Sequence, residues 1–242
     1  MSTHKNRGTI LLIHGVKSDE RTWRKLKIYL NGKGFNVITF TLPRDISTHK
    51  PDPYRAARHI KRRLQYRKIQ LPIILIGHSF GGLIAKAFLL EYREEYDIPV
   101  LITLATPHKG VRWGRKALSL VLKQFGGLRK VDKLTEKLTK YSIYKLAQTF
   151  SYNSKIIQDL NRAFDIKSVK FFLIGAENST FRDNFLTRIG DGVVELESQI
   201  PPEFIERENV EYFVFYNVSH TQIHKTPAVR GLIYRFLMKA MK

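Results

Sequence analysis

Two hydrophobic patterns alternate along the chain. The first is a set of short apolar runs rich in β-branched and aromatic residues: Thr9–Ile13, Phe35–Leu42, Pro72–Ile76, Pro99–Ala105, Lys170–Ile174 and Glu211–Val218. Glycine or proline bounds most of them, which marks strands. The second pattern is apolar residues at helical spacing. Trp23, Leu26, Tyr29 and Leu30 form one such face, and Tyr54, Ala57, Ile60 and Leu64 another. Gly82–Tyr92 reads as a helix. So does Ala228–Met241, with Val229, Leu232, Ile233, Phe236 and Leu237 on one side. Strands that are apolar almost throughout need cover on both faces. The predicted class is therefore α/β, a mostly parallel central sheet with helices on both faces. In such sheets the functional groups gather at the carboxyl ends of the strands.

One segment breaks the alternation. No strand pattern appears between Pro107 and Lys167. Val131, Leu134, Leu138 and Tyr141 share one helical face, Lys130, Lys133, Lys137 and Lys140 another, and Gly126-Gly127 separates two helices. The expectation is a single domain, 1–242, with a helical cap inserted at about 111–167.

Composition narrows the classes. Hydrophobic residues are 43% and aromatics 12%, enough for a real core. Cysteine is absent, which excludes disulfides, thiolate metal sites and a cysteine nucleophile. The first apolar run is too short for a secretory signal, and no run approaches the roughly 18 residues of a membrane-spanning helix. The expected location is the cytoplasm.

Charge changes the picture most. Forty-two Lys and Arg stand against 21 Asp and Glu, a formal charge of +21. Such a surface attracts anionic lipid, polyanions or acidic substrates. From Arg112 to Lys155 there are eleven cations and two acids, on helices with an apolar opposite face. That pattern suits a solvated face over a core or an interfacial lid. Arg55, Arg58, Lys61, Arg62 and Arg63 add a second basic stripe. Peripheral contact with anionic membrane is the sharper expectation. Nucleic acid is disfavoured, because no recognised binding motif occurs. There is no metal-binding motif, no glycine-rich dinucleotide fingerprint and no phosphate-binding loop, so no cofactor is expected.

The chemistry centres on Gly77-His78-Ser79-Phe80-Gly81-Gly82, which follows an apolar strand and opens a helix. This is the context of a nucleophile elbow: Gly77 and Gly81 let strand and helix approach, and Ser79 sits on the sharp turn between them. Three further stretches make the chain similar to α/β-hydrolase-fold lipases and carboxylesterases. Ile13-His14-Gly15-Val16 resembles the loop after an early strand in that family. Leu104-Ala105-Thr106-Pro107-His108-Lys109-Gly110 and Gly190-Asp191-Gly192-Val193-Val194 resemble two later stretches. The likeness covers most of the chain except 111–167.

The resemblance implies an α/β-hydrolase fold and an acyl-enzyme reaction on Ser79, without a cofactor. It also implies a chain order of serine, acid, histidine. A serine hydroxyl needs a base within hydrogen-bond reach, and the base needs an orienting acid. His220 and His224 both lie after the last strand; His220, directly after it, is the favoured base. Asp191, between two glycines, is favoured as the acid over Asp183 and Glu177. The oxyanion-hole N–H groups would come from Phe80 and, by the family's pattern, Val16. His14 and His78 read as structural, and His108 as shaping the rim of the pocket. The expected substrate is a small-molecule or lipid ester. Thioesterase, phospholipase or acyltransferase chemistry uses the same groups, and a non-catalytic basic module is the alternative from a different class.

Overall fold

The six apolar runs all form strands and lie in one sheet. The structure, a computed structural model, describes residues 7–46, 51–112, 149–178 and 190–241. The strands are β1 (Thr9–Ile13), β2 (Asn36–Thr39), β3 (Ile73–His78), β4 (Val100–Leu104), β5 (Lys170–Glu177) and β6 (Val210–Tyr216). Their spatial order is β2-β1-β3-β4-β5-β6, and every neighbouring pair is parallel. The sheet is thus wholly parallel, where the sequence predicted a mostly parallel one.

Alternation along the strands divides the core into two layers. Leu11, Leu75, Leu101, Phe171 and Leu173 point to one face. There they meet α2 (Pro53–Leu64), α3 (Phe80–Tyr92) and α4 (Lys155–Asn161). Ile10, Leu12, Ile74, Ile76, Ile102 and Ile174 point to the other, against α1 (Arg24–Asn31) and the last helix, Pro227–Ala240. Successive strand residues face opposite sides, so both sets must be apolar.

Local chemistry sets the helix boundaries. Asp52 caps α2, accepting from the N–H groups of Tyr54 (2.9 Å) and Arg55 (3.1 Å), and Pro53 occupies the first turn. Two short helices, α5 (Leu196–Gln199) and α6 (Pro202–Ile205), link β5 to β6; the last helix is α7.

Two boundaries differ from the sequence pattern for a physical reason. β2 stops at Thr39 although the apolar run reaches Leu42. The Leu42 N–H donates to His14 Nε2 (3.0 Å), so the chain leaves the ladder to brace the loop after β1. β5 runs on past Ile174 to Glu177 because β6 pairs with it as far as Tyr216.

Residues 113–148, which hold the predicted helix faces and Gly126-Gly127, lie outside the described residues, as does Asp183. The described end of the predicted cap, 149–167, contributes to the core. Ile157, Leu160, Ala163 and Phe164 are buried in the layer formed with α3. No helix among the described residues is long and apolar enough to cross a membrane.

Candidate active site

Ser79 stands between β3 and α3 with φ 55° and ψ −123°. A positive φ is strained for a residue with a side chain, by about 1–3 kcal/mol. The surroundings impose it. The Ser79 N–H donates to Leu104 O (2.8 Å), extending the β3–β4 ladder, while the next residue already begins the helix. Close backbone approach completes the turn. A Cβ on Gly81 would lie 2.1 Å from Ile13 O, and one on Gly77 would lie 2.4 Å from the Gly81 backbone. Only glycine fits either place.

His220 comes from the loop after β6. Its Nδ1–H donates to Asp191 Oδ2 (2.7 Å), and its Nε2 faces Ser79 Oγ at 2.9 Å. A carboxylate can only accept, so the ring carries its proton on Nδ1 and Nε2 is left to accept from the serine hydroxyl. Asp191 is buried. Its second oxygen, Oδ1, accepts from the N–H groups of Val193 (2.9 Å) and Val194 (2.8 Å). The backbone is joined as well: the His220 N–H donates to Asp191 O (3.1 Å). The favoured serine, histidine and acid are therefore in one hydrogen-bonded line, from three loops at the carboxyl ends of β3, β5 and β6.

The competing candidates lie elsewhere. His224 is hydrogen bonded through Nε2 to Thr22 Oγ1 (2.6 Å) and packs on Trp23. Burial holds its pKa down to about 4. Glu177 is the last residue of β5 and is buried, while the His220 ring bonds to Asp191.

Val16 and Phe80 flank the serine. The loop carrying Val16 passes close enough that a Cβ on Gly15 would sit 3.1 Å from Ser79 Cβ. Phe80 is the first residue of α3, whose positive dipole end is directed at the turn. Neither N–H has a hydrogen-bond partner among the described residues. Backbone N–H groups left without a partner beside a hydroxyl are of the kind that can stabilise a negatively charged oxygen.

The other histidines brace the site. His14 donates from Nδ1 to Gly15 O (2.8 Å) and accepts from Leu42, and burial lowers its pKa. His108, expected at the pocket rim, is instead fully buried, with its ring on Thr103 Oγ1 (3.0 Å) of β4, and burial holds it well below the ordinary value. His78 donates from Nε2 to the carbonyl of His220 (2.9 Å), a contact with no sequence signal beyond its place beside Ser79. Lys86, one and a half turns into α3, is fully buried on Asn161 (2.5 Å) and beside the Phe164 ring. Burial pushes its ammonium well below the usual range.

Beside the acid loop, the two ends of the 113–148 segment are clasped. Val111 and Ser151 form a β-bridge, and Arg112 stacks on Tyr152 (3.5 Å to the ring centre). Glu197 accepts from Arg112 (3.1 Å), Tyr152 (2.9 Å) and Lys109 (3.2 Å), and these partners lower its pKa to about 2. No group of three or more potential metal ligands occurs among the described residues.

Residues 10–166 match the model of the alpha/beta hydrolase family. Among curated proteins, the chain is 30% identical over 108 residues to norfluorocurarine synthase 1 of Strychnos nux-vomica, covering 43% of this chain and 41% of that one. It is 27% identical over 136 residues to methylesterase 1 of Arabidopsis thaliana, covering 52% and 48%. The matches thus span less than half the length of these two relatives. Among solved structures, a lipase-esterase related protein from Clostridium acetobutylicum ATCC 824 superposes with a TM-score of 0.62 at 19% identity. That match covers 97% of this chain and 96% of the other. With a family match over residues 10–166 and a fold shared along nearly its whole length, the chain belongs to the alpha/beta hydrolase family.

Proposed function

We propose that this hydrolase cleaves carboxylic esters, as a carboxylesterase or lipase, through an acyl-enzyme on Ser79. One observation carries the reading: the unbroken line Ser79–His220–Asp191, at 2.9 and 2.7 Å, with the acid pinned by two backbone N–H groups. The ester chemistry in the names of methylesterase 1 and the Clostridium protein supports it.

Ser79 Oγ attacks the ester carbonyl carbon while its proton passes to His220 Nε2. The former carbonyl oxygen takes the negative charge, met by the Phe80 and Val16 N–H groups. Asp191 holds the Nδ1–H tautomer and stabilises the imidazolium without taking its proton. The intermediate collapses, and the leaving alkoxide takes the proton from His220. Water then attacks the acyl-enzyme with His220 as base. The carboxylic acid departs and the proton returns to Ser79.

The test is intact mass after incubation with a fluorophosphonate, on wild type and Ser79→Ala. One adduct on wild type and none on the variant is expected; no adduct on folded wild type would sink the reading. Esters graded by chain length, with thioester and phospholipid probes, then identify the leaving group.

We further propose peripheral contact with anionic membrane through the stripe on α2. Three of its five cations are paired: Arg55 with Asp45, Arg58 with Glu91 and Lys61 with Glu95. Arg62, Arg63, Arg67 and Lys68 have no carboxylate partner among the described residues. Tyr66 and Leu71, in the same stretch of chain, are 84% and 56% exposed. Cations around an exposed aromatic and an aliphatic side chain suit a charged bilayer surface. Sedimentation with phosphatidylserine vesicles, compared with neutral ones, tests this. Binding that is lost in high salt and in a fourfold Arg/Lys→Gln variant is expected. Equal binding to both vesicle types would exclude it.

A further inference from the structure

His78 is buried at the end of β3, joined by a peptide bond to Ser79. Its Nε2–H donates to the backbone carbonyl of His220 at 2.9 Å. Its ring lies 4.9 Å, centre to centre, from the His220 imidazole and 4.6 Å from that of His224. His224 is itself held by Thr22 and packed on Trp23. A column of rings therefore runs from α1's approach to the base: Trp23, His224, His78, His220.

We propose that His78 is a positioning residue that ties the histidine loop directly to the nucleophile's own backbone. This rests on the ester-hydrolase reading of Ser79 and His220.

The argument is geometric. His220 must keep Nε2 within about 3 Å of Ser79 Oγ through two proton transfers. Its contacts with Asp191 fix the ring and the backbone N–H but leave the far end of the residue, the carbonyl, to be held by something else. His78 supplies that hold from the residue adjacent to the nucleophile. Any shift of the β3 end then moves serine and base together.

Only an N–H donor of about this reach can do it. A serine or alanine at 78 would fall short, and a phenylalanine would keep the packing without the bond. The donor also has to stay neutral beside an imidazolium. Burial and the two neighbouring histidine rings keep His78 well below its ordinary pKa. A neutral Nε2–H donor leaves Nδ1 unprotonated, and Nδ1 lies toward Gly15, where a Cβ would come within 3.4 Å of it.

The experiment compares His78→Phe, which keeps a ring and removes the donor, with His78→Gln, which restores an amide N–H near the Nε2 position. Two readouts are used: the second-order rate of fluorophosphonate inactivation, and amide hydrogen exchange across residues 217–224. In His78→Phe, inactivation is expected to slow by about ten- to a hundredfold, as for a base displaced by a fraction of an ångström to one ångström. Exchange in 217–224 should rise while the β3 and β4 amides stay protected. His78→Gln should recover most of both.

Three results would overturn the proposal: wild-type inactivation in His78→Phe, equal losses in both variants, or unchanged exchange in the loop. If wild type itself does not react with the fluorophosphonate, the ester-hydrolase reading fails. The exchange comparison still decides whether His78 ties the loop.

Discussion

The rings of Phe80 and Phe150 pack with their centres 4.9 Å apart. Phe80 is the residue after Ser79, and Phe150 belongs to the stem that leads out of the 113–148 segment. Packing beside Ser79 is thus shared between the β3–α3 turn and that stem. Phe150→Ala is expected to destabilise the fold by roughly 3–5 kcal/mol, the usual cost of emptying a buried aromatic site. Phe150→Leu should cost less. If the contact also shapes the acyl site, the leucine variant will change relative rates across esters of different chain length. An unchanged profile at unchanged melting temperature would show that the pair does neither.

Asp191→Asn separates geometry from charge. The amide oxygen can still accept from Val193 and Val194, which leaves its NH2 facing His220 Nδ1. The ring is then driven to the opposite tautomer, with Nε2 protonated and unable to accept from Ser79. A fall of about 10⁴-fold in kcat is expected, with the melting temperature nearly unchanged. Steady-state kinetics beside a thermal melt will show it. A fall of less than tenfold would mean that Asp191 is not the orienting acid.

Acid should unfold the protein at mild pH. His14, His78, His108 and His224 are all buried with pKa values lowered by burial, His224 to about 4. Each ring is neutral in the folded state and takes up a proton when unfolded below pH 6.5. Their contribution is fully present above 6.5 and is lost as pH falls toward the folded values. For His224 alone the shift corresponds to roughly 3 kcal/mol. Melting temperature should therefore be level from pH 7.5 to about 6.5 and decline from there to 4.5. His224→Gln should flatten that decline, and a flat wild-type curve would contradict the account.

Two glycines should respond in opposite directions to alanine. At Gly81 the new Cβ would meet Ile13 O at 2.1 Å, so Gly81→Ala is expected not to fold. At Gly231, in the middle of α7, a Cβ meets nothing within 4 Å. Gly231→Ala should stabilise by about 0.5–1 kcal/mol, because alanine loses less backbone entropy in a helix. Denaturant melts distinguish the two, and destabilisation by Gly231→Ala would contradict the helix assignment there.

Much of this molecule is legible in the order of its residues. All six strands, the four long helices of the two flanking layers and the parallel class follow from local patterns, because a strand buried on both faces must be apolar at every position. Ser79 is legible for the same kind of reason: the glycines around it are needed by a turn whose parts are neighbours in sequence. Composition likewise decided that no cysteine chemistry is available.

Only the tertiary structure shows that His220, not His224, faces Ser79, and that Asp191, not Glu177, bonds to the His220 ring. Local sequence favours one member of each pair, but the contacts themselves lie across the fold. Thr22 and Trp23 occupy His224, whereas Ser79 and Asp191 meet His220. The same holds for residues 155–165, which read as cap in sequence and lie in the core layer against α3. An amphipathic helix carries the same pattern whether its apolar face covers a sheet or a pocket. The partner that buries that face is set by contacts far apart in the chain, and these no local pattern records.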